Sequence, residues 1–327
     1  MKEQLNTACI DLLKTEAGFT ERMEGEIEPY VRTRLTDGIY TSDDGKPLHW
    51  LHFEADAPKA AVLLVHGFSE FWEKYFEMLY YFLQCGYSVW MPELRGHGGS
   101  VREVDEPYLV HIDSFRTYVK DIKRFFNEKI ASEPLPTVLM GHSMGGALAG
   151  LYAEAYPDDF SAVVLSSPMV RIRSGGLSIP AMKVLSGVCK AIGKGKSYVF
   201  GKGPFTGKED FEGSSCDSPG RYAYTFGKRK QDIKNQTWSP SYSWLGASAR
   251  AHTYILENAG KIRARVLVMY AMRDGLVDPA GTPLFCEKIP DCRVECFDNA
   301  KHEIFNSDEE SRLRYYKKLF EFLEESV

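Results

Sequence analysis

Thr137-Val138-Leu139-Met140-Gly141-His142-Ser143-Met144-Gly145 runs from a short apolar segment, through a serine flanked by glycines, into a helical pattern that continues to Ala155. A bare G-x-S-x-G is a weak signal in a chain with 28 glycines. Its setting gives it content. Between a strand and a helix, such a serine is forced into a strained turn from which its hydroxyl projects clear. The glycines are needed because side chains there would collide with the neighbouring strand and helix.

A serine hydroxyl is a poor nucleophile at neutral pH and needs a base, itself oriented by an acid. Of the eight histidines, only His302 lies beyond the last group of expected strands, in Asn299-Ala300-Lys301-His302-Glu303. For the acid, Asp274 follows the apolar run 265–269, and strand ends that open onto the carboxyl edge are where open α/β sheets place their ligand groups. Asp278 is its rival. A tetrahedral intermediate also needs two backbone N–H donors. Met144, which follows the serine at a helix N-terminus, would supply one. Phe68, in His66-Gly67-Phe68-Ser69-Glu70 after the apolar run 60–65, would supply the other. His66, His97 and His142 read as braces for their own turns.

Outward from this centre, strands are expected at 48–54, 60–65, 88–91, 137–140, 162–165, 265–269 and 293–297. Helices are expected at 71–84, 114–129, 144–155 and 311–323, after a polar helix and loop in the first 35 residues. Strands alternating with helices imply an α/β fold with a mostly parallel central sheet flanked by helices. The rhythm breaks between 169 and 250. That stretch holds 14 Lys and Arg against 5 Asp and Glu, net +9, leaving −14 for the remainder of a chain whose net charge is −5. It reads as an inserted basic lid (169–250) between two parts of one core (1–168 and 251–327). Within it, Lys183, Lys190 and Lys194 fall on one helical face, which is either solvated or turned toward an anionic lipid or membrane surface.

With 44% hydrophobic and 26% charged residues the chain is an ordinary globular protein, and its acidic balance excludes bulk affinity for nucleic acid. The seven cysteines show no C-x-x-C and no zinc spacing, so reduced thiols and no metal are expected. Neither a leader segment nor an apolar run of membrane-spanning length is evident. A soluble cytoplasmic protein, touching membranes at most peripherally, is the expectation. Gly195-Lys196-Ser197 resembles the end of a phosphate-binding loop, but Lys190 stands where the loop needs glycine and no strand precedes it.

The whole set of segments resembles the serine hydrolases of the α/β-hydrolase fold, and within them the monoacylglycerol lipase and bacterial lysophospholipase group. The matching segments are Leu64-Val65-His66-Gly67, Arg95-Gly96-His97-Gly98-Gly99-Ser100, Gly141-His142-Ser143-Met144-Gly145-Gly146, the Asp274 segment and Lys301-His302-Glu303. Pro240-Ser241-Tyr242-Ser243-Trp244-Leu245, and His302-Glu303-Ile304 before a long helix, look like the lysophospholipase branch. Glu93 departs from the aspartate usual before the Arg-Gly-His-Gly loop. The resemblance implies a triad of Ser143, Asp274 and His302, oxyanion donors at Phe68 and Met144, and no cofactor. It also implies hydrolysis of a lysophospholipid, with monoacylglycerol lipase or broad esterase activity, acyl transfer, or non-catalytic binding as alternatives.

Overall fold

Ala60–Val65 is buried at every position, which only a strand covered on both faces can be. In the computed structural model, which describes residue 13, residues 15–173 and residues 175–327, it lies near the middle of an eight-stranded sheet. The strands of the chain are β1 (Leu35–Thr41), β2 (Pro47–Phe53), β3 (Ala60–Val65), β4 (Tyr87–Pro92), β5 (Leu109–Val110), β6 (Thr137–His142), β7 (Ala162–Ser166), β8 (Ser239–Pro240), β9 (Arg265–Ala271) and β10 (Cys292–Phe297). The large sheet runs β1-β2-β4-β3-β6-β7-β9-β10, and β5 pairs with β8 apart from it. From β4 to β10 all neighbours are parallel, while β1 and β2 are antiparallel additions at one edge.

The helices are α1 (Phe19–Arg22), α2 (Glu28–Arg32), α3 (Phe76–Gln84), α4 (Phe115–Lys129), α5 (Met144–Ala155), α6 (Ile179–Ala191), α7 (Pro219–Gln231), α8 (Tyr242–Asn258), α9 (Gly281–Cys286) and α10 (Glu309–Ser326). Successive strand residues point to opposite faces, so Val62 and Leu64 pack with α3 and α10, while Leu63 and Val65 pack with α4, α5 and α8. The sheet is thus covered on both sides, and its carboxyl edge is where the loops after β3, β6, β9 and β10 meet.

The stretch 169–250 is built largely of three helices, each opened by a serine whose hydroxyl accepts a backbone N–H: Ser178 for α6, Ser218 for α7 and Ser241 for α8. α8 runs across residue 250 and buries Trp244, Ala247, Ala251 and Ile255 against the sheet side of the core. Outward on α6, Val184, Val188 and Ile192 are 66%, 54% and 63% exposed, an apolar stripe at i, i+4 and i+8 spacing.

Two expectations need correction. Cys85 is disulfide-bonded, so the reduced state expected for all thiols holds only for Cys189, Cys216, Cys286, Cys292 and Cys296. Pairing is decided by proximity in the fold, which residue spacing does not reveal. Strand β1 was not expected: its sequence is half exposed and lacks the unbroken apolar run of the central strands. Of the first 35 residues, expected to hold a polar helix and a loop, residues 1–12 and 14, Cys9 among them, lie outside the described residues.

Candidate active site

β6 ends at His142 and α5 begins at Met144, leaving Ser143 alone to make the turn. It does so at φ 55° and ψ −118°, a conformation that costs a non-glycine residue about 1–3 kcal/mol. Two hydrogen bonds hold it there: Ser143 N–H donates to the Ser166 carbonyl at 2.9 Å, and its carbonyl accepts from Met169 N–H at 2.9 Å. The flanking glycines are sterically obligatory. A Cβ on Gly141 would lie 2.2 Å from the Gly145 carbonyl oxygen, and one on Gly145 would lie 2.0 Å from the Val65 carbonyl oxygen.

His302, in the loop after β10, presents Nδ1 to Asp274 Oδ2 at 2.5 Å. Both residues are buried. Asp274 Oδ1 accepts from the N–H groups of Leu276 and Val277 at 2.7 and 2.8 Å, so three donors fix this carboxylate. Burial pushes its pKa up, but the His302 hydrogen bond and charge, with the two N–H groups, outweigh it and hold it below the usual aspartate value. His302 is anchored further by its own carbonyl, which accepts from Ser167 Oγ at 2.7 Å. Its Nε2 is buried and has no hydrogen-bond partner among the described residues, Ser143 Oγ included. Asp278 is engaged elsewhere: it pairs with Arg171 at 3.1 Å and accepts from Ala280 N–H.

The N–H groups of Phe68 and Met144, the expected oxyanion donors, donate to no protein acceptor among the described residues. The loop carrying Phe68 is tightly held. His66 Nε2 accepts from Leu94 N–H at 2.9 Å while its Nδ1 meets the Gly67 carbonyl at 2.8 Å, and His97 Nε2 accepts from Ser69 N–H at 3.1 Å. The bracing roles expected of these histidines are visible in those bonds. Glu93 likewise supports its loop, accepting from Gly99 N–H at 2.6 Å and meeting His49 at 2.9 Å.

A buried charge cluster joins the oxyanion loop to the histidine loop, and nothing in the sequence reading singled it out. Lys74 Nζ sits 2.5 Å from Glu70 Oε1 and 2.8 Å from Glu303 Oε1. Glu70 Oε2 accepts from Gly67 N–H at 2.5 Å and from the Tyr75 hydroxyl. Burial raises both carboxyls, but Lys74 beside them more than reverses this and leaves both well below the ordinary glutamate value. The Glu70/Lys74 i,i+4 spacing, and the place of Glu303 directly after His302, were the available signals. His142 adds a ring 4.9 Å from that of His302; burial lowers its pKa to about 4, so it stays neutral.

Of the three lysines expected on one helical face, Lys183 Nζ donates to Thr253 Oγ1 at 2.9 Å and Lys190 pairs with Asp113 at 2.7 Å, both linking α6 to its surroundings. Lys194 is exposed.

With this geometry in place, the relatives are informative. A family model described as serine aminopeptidase, S33 (Hydrolase_4) matches residues 56–309, most of the chain. The chain is 26% identical to lysophospholipase L2 of Escherichia coli K12 over 83% of its own length and 80% of that protein's. It is 28% identical to a monoacylglycerol lipase of Mycolicibacterium smegmatis, covering 77% of this chain and 84% of that one. Among solved structures, the monoacylglycerol lipase of Paleococcus ferrophilus superposes with a TM-score of 0.67 at 23% identity, covering 86% of this chain and 99% of that one. The sheet order and the neighbours make this the α/β-hydrolase fold expected from the sequence. The chain belongs to the Hydrolase_4, or serine aminopeptidase S33, family of hydrolases.

Proposed function

We propose that this hydrolase cleaves the carboxylic ester of single-chain acyl lipids, lysophospholipids above all, through an acyl-enzyme on Ser143. The observation that carries the reading is the 2.5 Å bond between His302 Nδ1 and Asp274 Oδ2 at the same sheet edge as the strained Ser143 turn. In this reading, Ser143 Oγ attacks the ester carbonyl as His302 Nε2 takes its proton. Asp274 keeps the Nδ1–H in place and stabilises the imidazolium. The N–H groups of Phe68 and Met144 hold the oxyanion. The alcohol leaves with the proton from His302; water, deprotonated by the same nitrogen, then releases the fatty acid. The relatives named lysophospholipase L2 support this substrate, and those named monoacylglycerol lipase support the second reading, an uncharged glycerol ester.

The segment 169–250 serves as the lid, and α6 is its contact with the lipid surface. Val184, Val188, Ile192 and the 92% exposed Phe200 would enter the interface, with Lys194 beside them. No helix among the described residues is long and apolar enough to cross a membrane, so contact would be peripheral. Fatty-acid release from one acyl chain presented as lysophospholipid, as monoacylglycerol and as diacyl phospholipid tests the proposal. Highest kcat/KM on the lysophospholipid is expected; turnover only on glycerol esters would replace the substrate, and no turnover on any ester would sink the reading.

A further inference from the structure

Beside the candidate catalytic loops lies a cavity of about 530 Å³. Its wall is formed by neighbours of the residues assigned to catalysis. Gly275 and Leu276 follow Asp274, and Glu303 follows His302. Arg229, on α7, also lines it and donates from Nη2 to the carbonyl of Ser69 at 2.8 Å, the residue after Phe68. The cavity is therefore next to the reacting centre rather than on a remote face.

Its charges are not balanced as the neighbouring cluster is. Lys74 is taken by Glu70 and Glu303, and Arg221 by Glu16 and Glu77. Glu303 is itself saturated by Lys74, Ser215 and Asn306. Arg229 is different. It is only 9% exposed, yet it has no carboxylate partner among the described residues. Nη1 donates to Ser69 Oγ and to the carbonyls of Asn235 and Thr237 at 3.0–3.1 Å. With Nη2 on Ser69, all its hydrogen-bond acceptors among the described residues are neutral, and the guanidinium also lies over the Phe71 and Trp238 rings.

Burial lowers the Arg229 pKa to about 10, which leaves it charged at neutral pH. The carboxylates that act on it, Glu70 and Glu303, do so through charge without direct contact and are shared with Lys74, so an anion held in the cavity would add the direct partner that Arg229 lacks. Lys301, on the loop of His302, donates only to the carbonyls of Glu212 and Cys216 at 3.3 and 3.4 Å. Lys208 stands exposed at the mouth, near Asp210 and Glu212. Guanidinium and ammonium groups with free donors, converging on one cavity, match the oxygens of a phosphate. An uncharged glycerol would give these groups no anionic acceptor.

We propose that this cavity binds the phosphate of a lysophospholipid headgroup, with Arg229 and Lys301 as its ligands and Lys208 guarding the entrance. The inference rests on the lysophospholipase reading above and sharpens it. The carboxylates of Asp210 and Glu212 at the mouth suit an amine beyond the phosphate, so a phosphoethanolamine headgroup fits the whole length of the site.

The test compares kcat/KM for a lysophosphatidylethanolamine and for a monoacylglycerol of the same acyl chain. Lys208→Gln combined with Lys301→Gln should lower the ratio of the two by about tenfold or more, because charge-assisted hydrogen bonds to phosphate are lost for one substrate and not for the other. Arg229→Gln should lower it further; since this change also loosens Ser69, the lysine variant carries the decision. An active enzyme whose ratio is unmoved in the lysine variant overturns the site and leaves the lysophospholipase reading standing. A wild-type enzyme that cleaves monoacylglycerol and no lysophospholipid overturns both. Added inorganic phosphate separates a headgroup from a free anion. It should compete with the lysophospholipid and lose that effect in the lysine variant. If it alters monoacylglycerol turnover while the substrate ratio is unmoved, the site takes a free anion and the proposal fails.

Discussion

Around Asp274 and His302 the buried charges are matched: Asp274 accepts three hydrogen bonds, and Lys74 lies between two glutamates. Nearby, Arg229 on α7 and Lys301 next to His302 meet neutral carbonyls, a hydroxyl and aromatic rings among the described residues. In the first arrangement the carboxylates and the ammonium are engaged, while His302 Nε2 is left without a hydrogen-bond partner among the described residues, as the proposed proton transfer from Ser143 requires. The second has donors to spare. Under the proposed function the first is the corner for chemistry and the second a wall for recognition, and each can be perturbed without the other.

The largest effects are expected from the chemical corner. Ser143→Ala and His302→Ala should each lower kcat by several orders of magnitude, about 10⁶-fold where such residues act as a unit. The double variant should be little worse than either; multiplicative losses would show that the two do not share a step. Next comes Asp274→Asn, which should cost roughly 10³- to 10⁴-fold by favouring the wrong imidazole tautomer. Asp278→Asn should be mild, since Asp278 serves Arg171 and Ala280. A reversed order of severity would move the acid to Asp278.

Lys74→Met tests whether the matched charges hold the corner together. Leaving Glu70 and Glu303 without their shared cation should destabilise the protein by about 3–5 kcal/mol, measured by denaturant unfolding. The pH sense follows from the lowered folded-state pKa values of both glutamates: their stabilisation is present above about pH 4.5 and is lost as pH falls. The variant should therefore lose part of the wild-type acid sensitivity, and an undiminished one would remove the cluster from the account.

The smallest effect should come from Glu154, on α5, whose two carboxylate oxygens are buried with no hydrogen-bond partner among the described residues. Burial pushes its pKa from 4.5 up to about 9. Such an acid is neutral in the folded protein, so stability falls as pH rises from the unfolded value toward 9. Glu154→Gln should raise Tm at pH 8 and change it little at pH 4. Equal shifts at the two pH values would mean that the carboxyl does not titrate there.

What was legible in the sequence was local. The unbroken run at Ala60–Val65, the turn at Ser143, and the loops bearing Asp274 and His302 each announce themselves within a few residues. The half-exposed edge strand β1 does not, because pairing rather than apolar content makes it a strand. Nor do the fates of Lys183 and Lys190, whose partners Thr253 and Asp113 lie 70 and 77 positions away in the chain. Helical spacing placed those lysines on one face, but tertiary contacts decided what the face meets. Arg229 was hidden for the same reason: its contact with Ser69 spans 160 positions of the chain, which only the folded arrangement reveals.

The central claim is that Ser143 is the activated nucleophile, and labelling by a fluorophosphonate probe tests it most directly. The wild-type protein should gain one covalent adduct, mapped to Ser143 by mass spectrometry, and Ser143→Ala should gain none. Labelling of the wild type at another residue, or undiminished labelling of Ser143→Ala, would contradict the account.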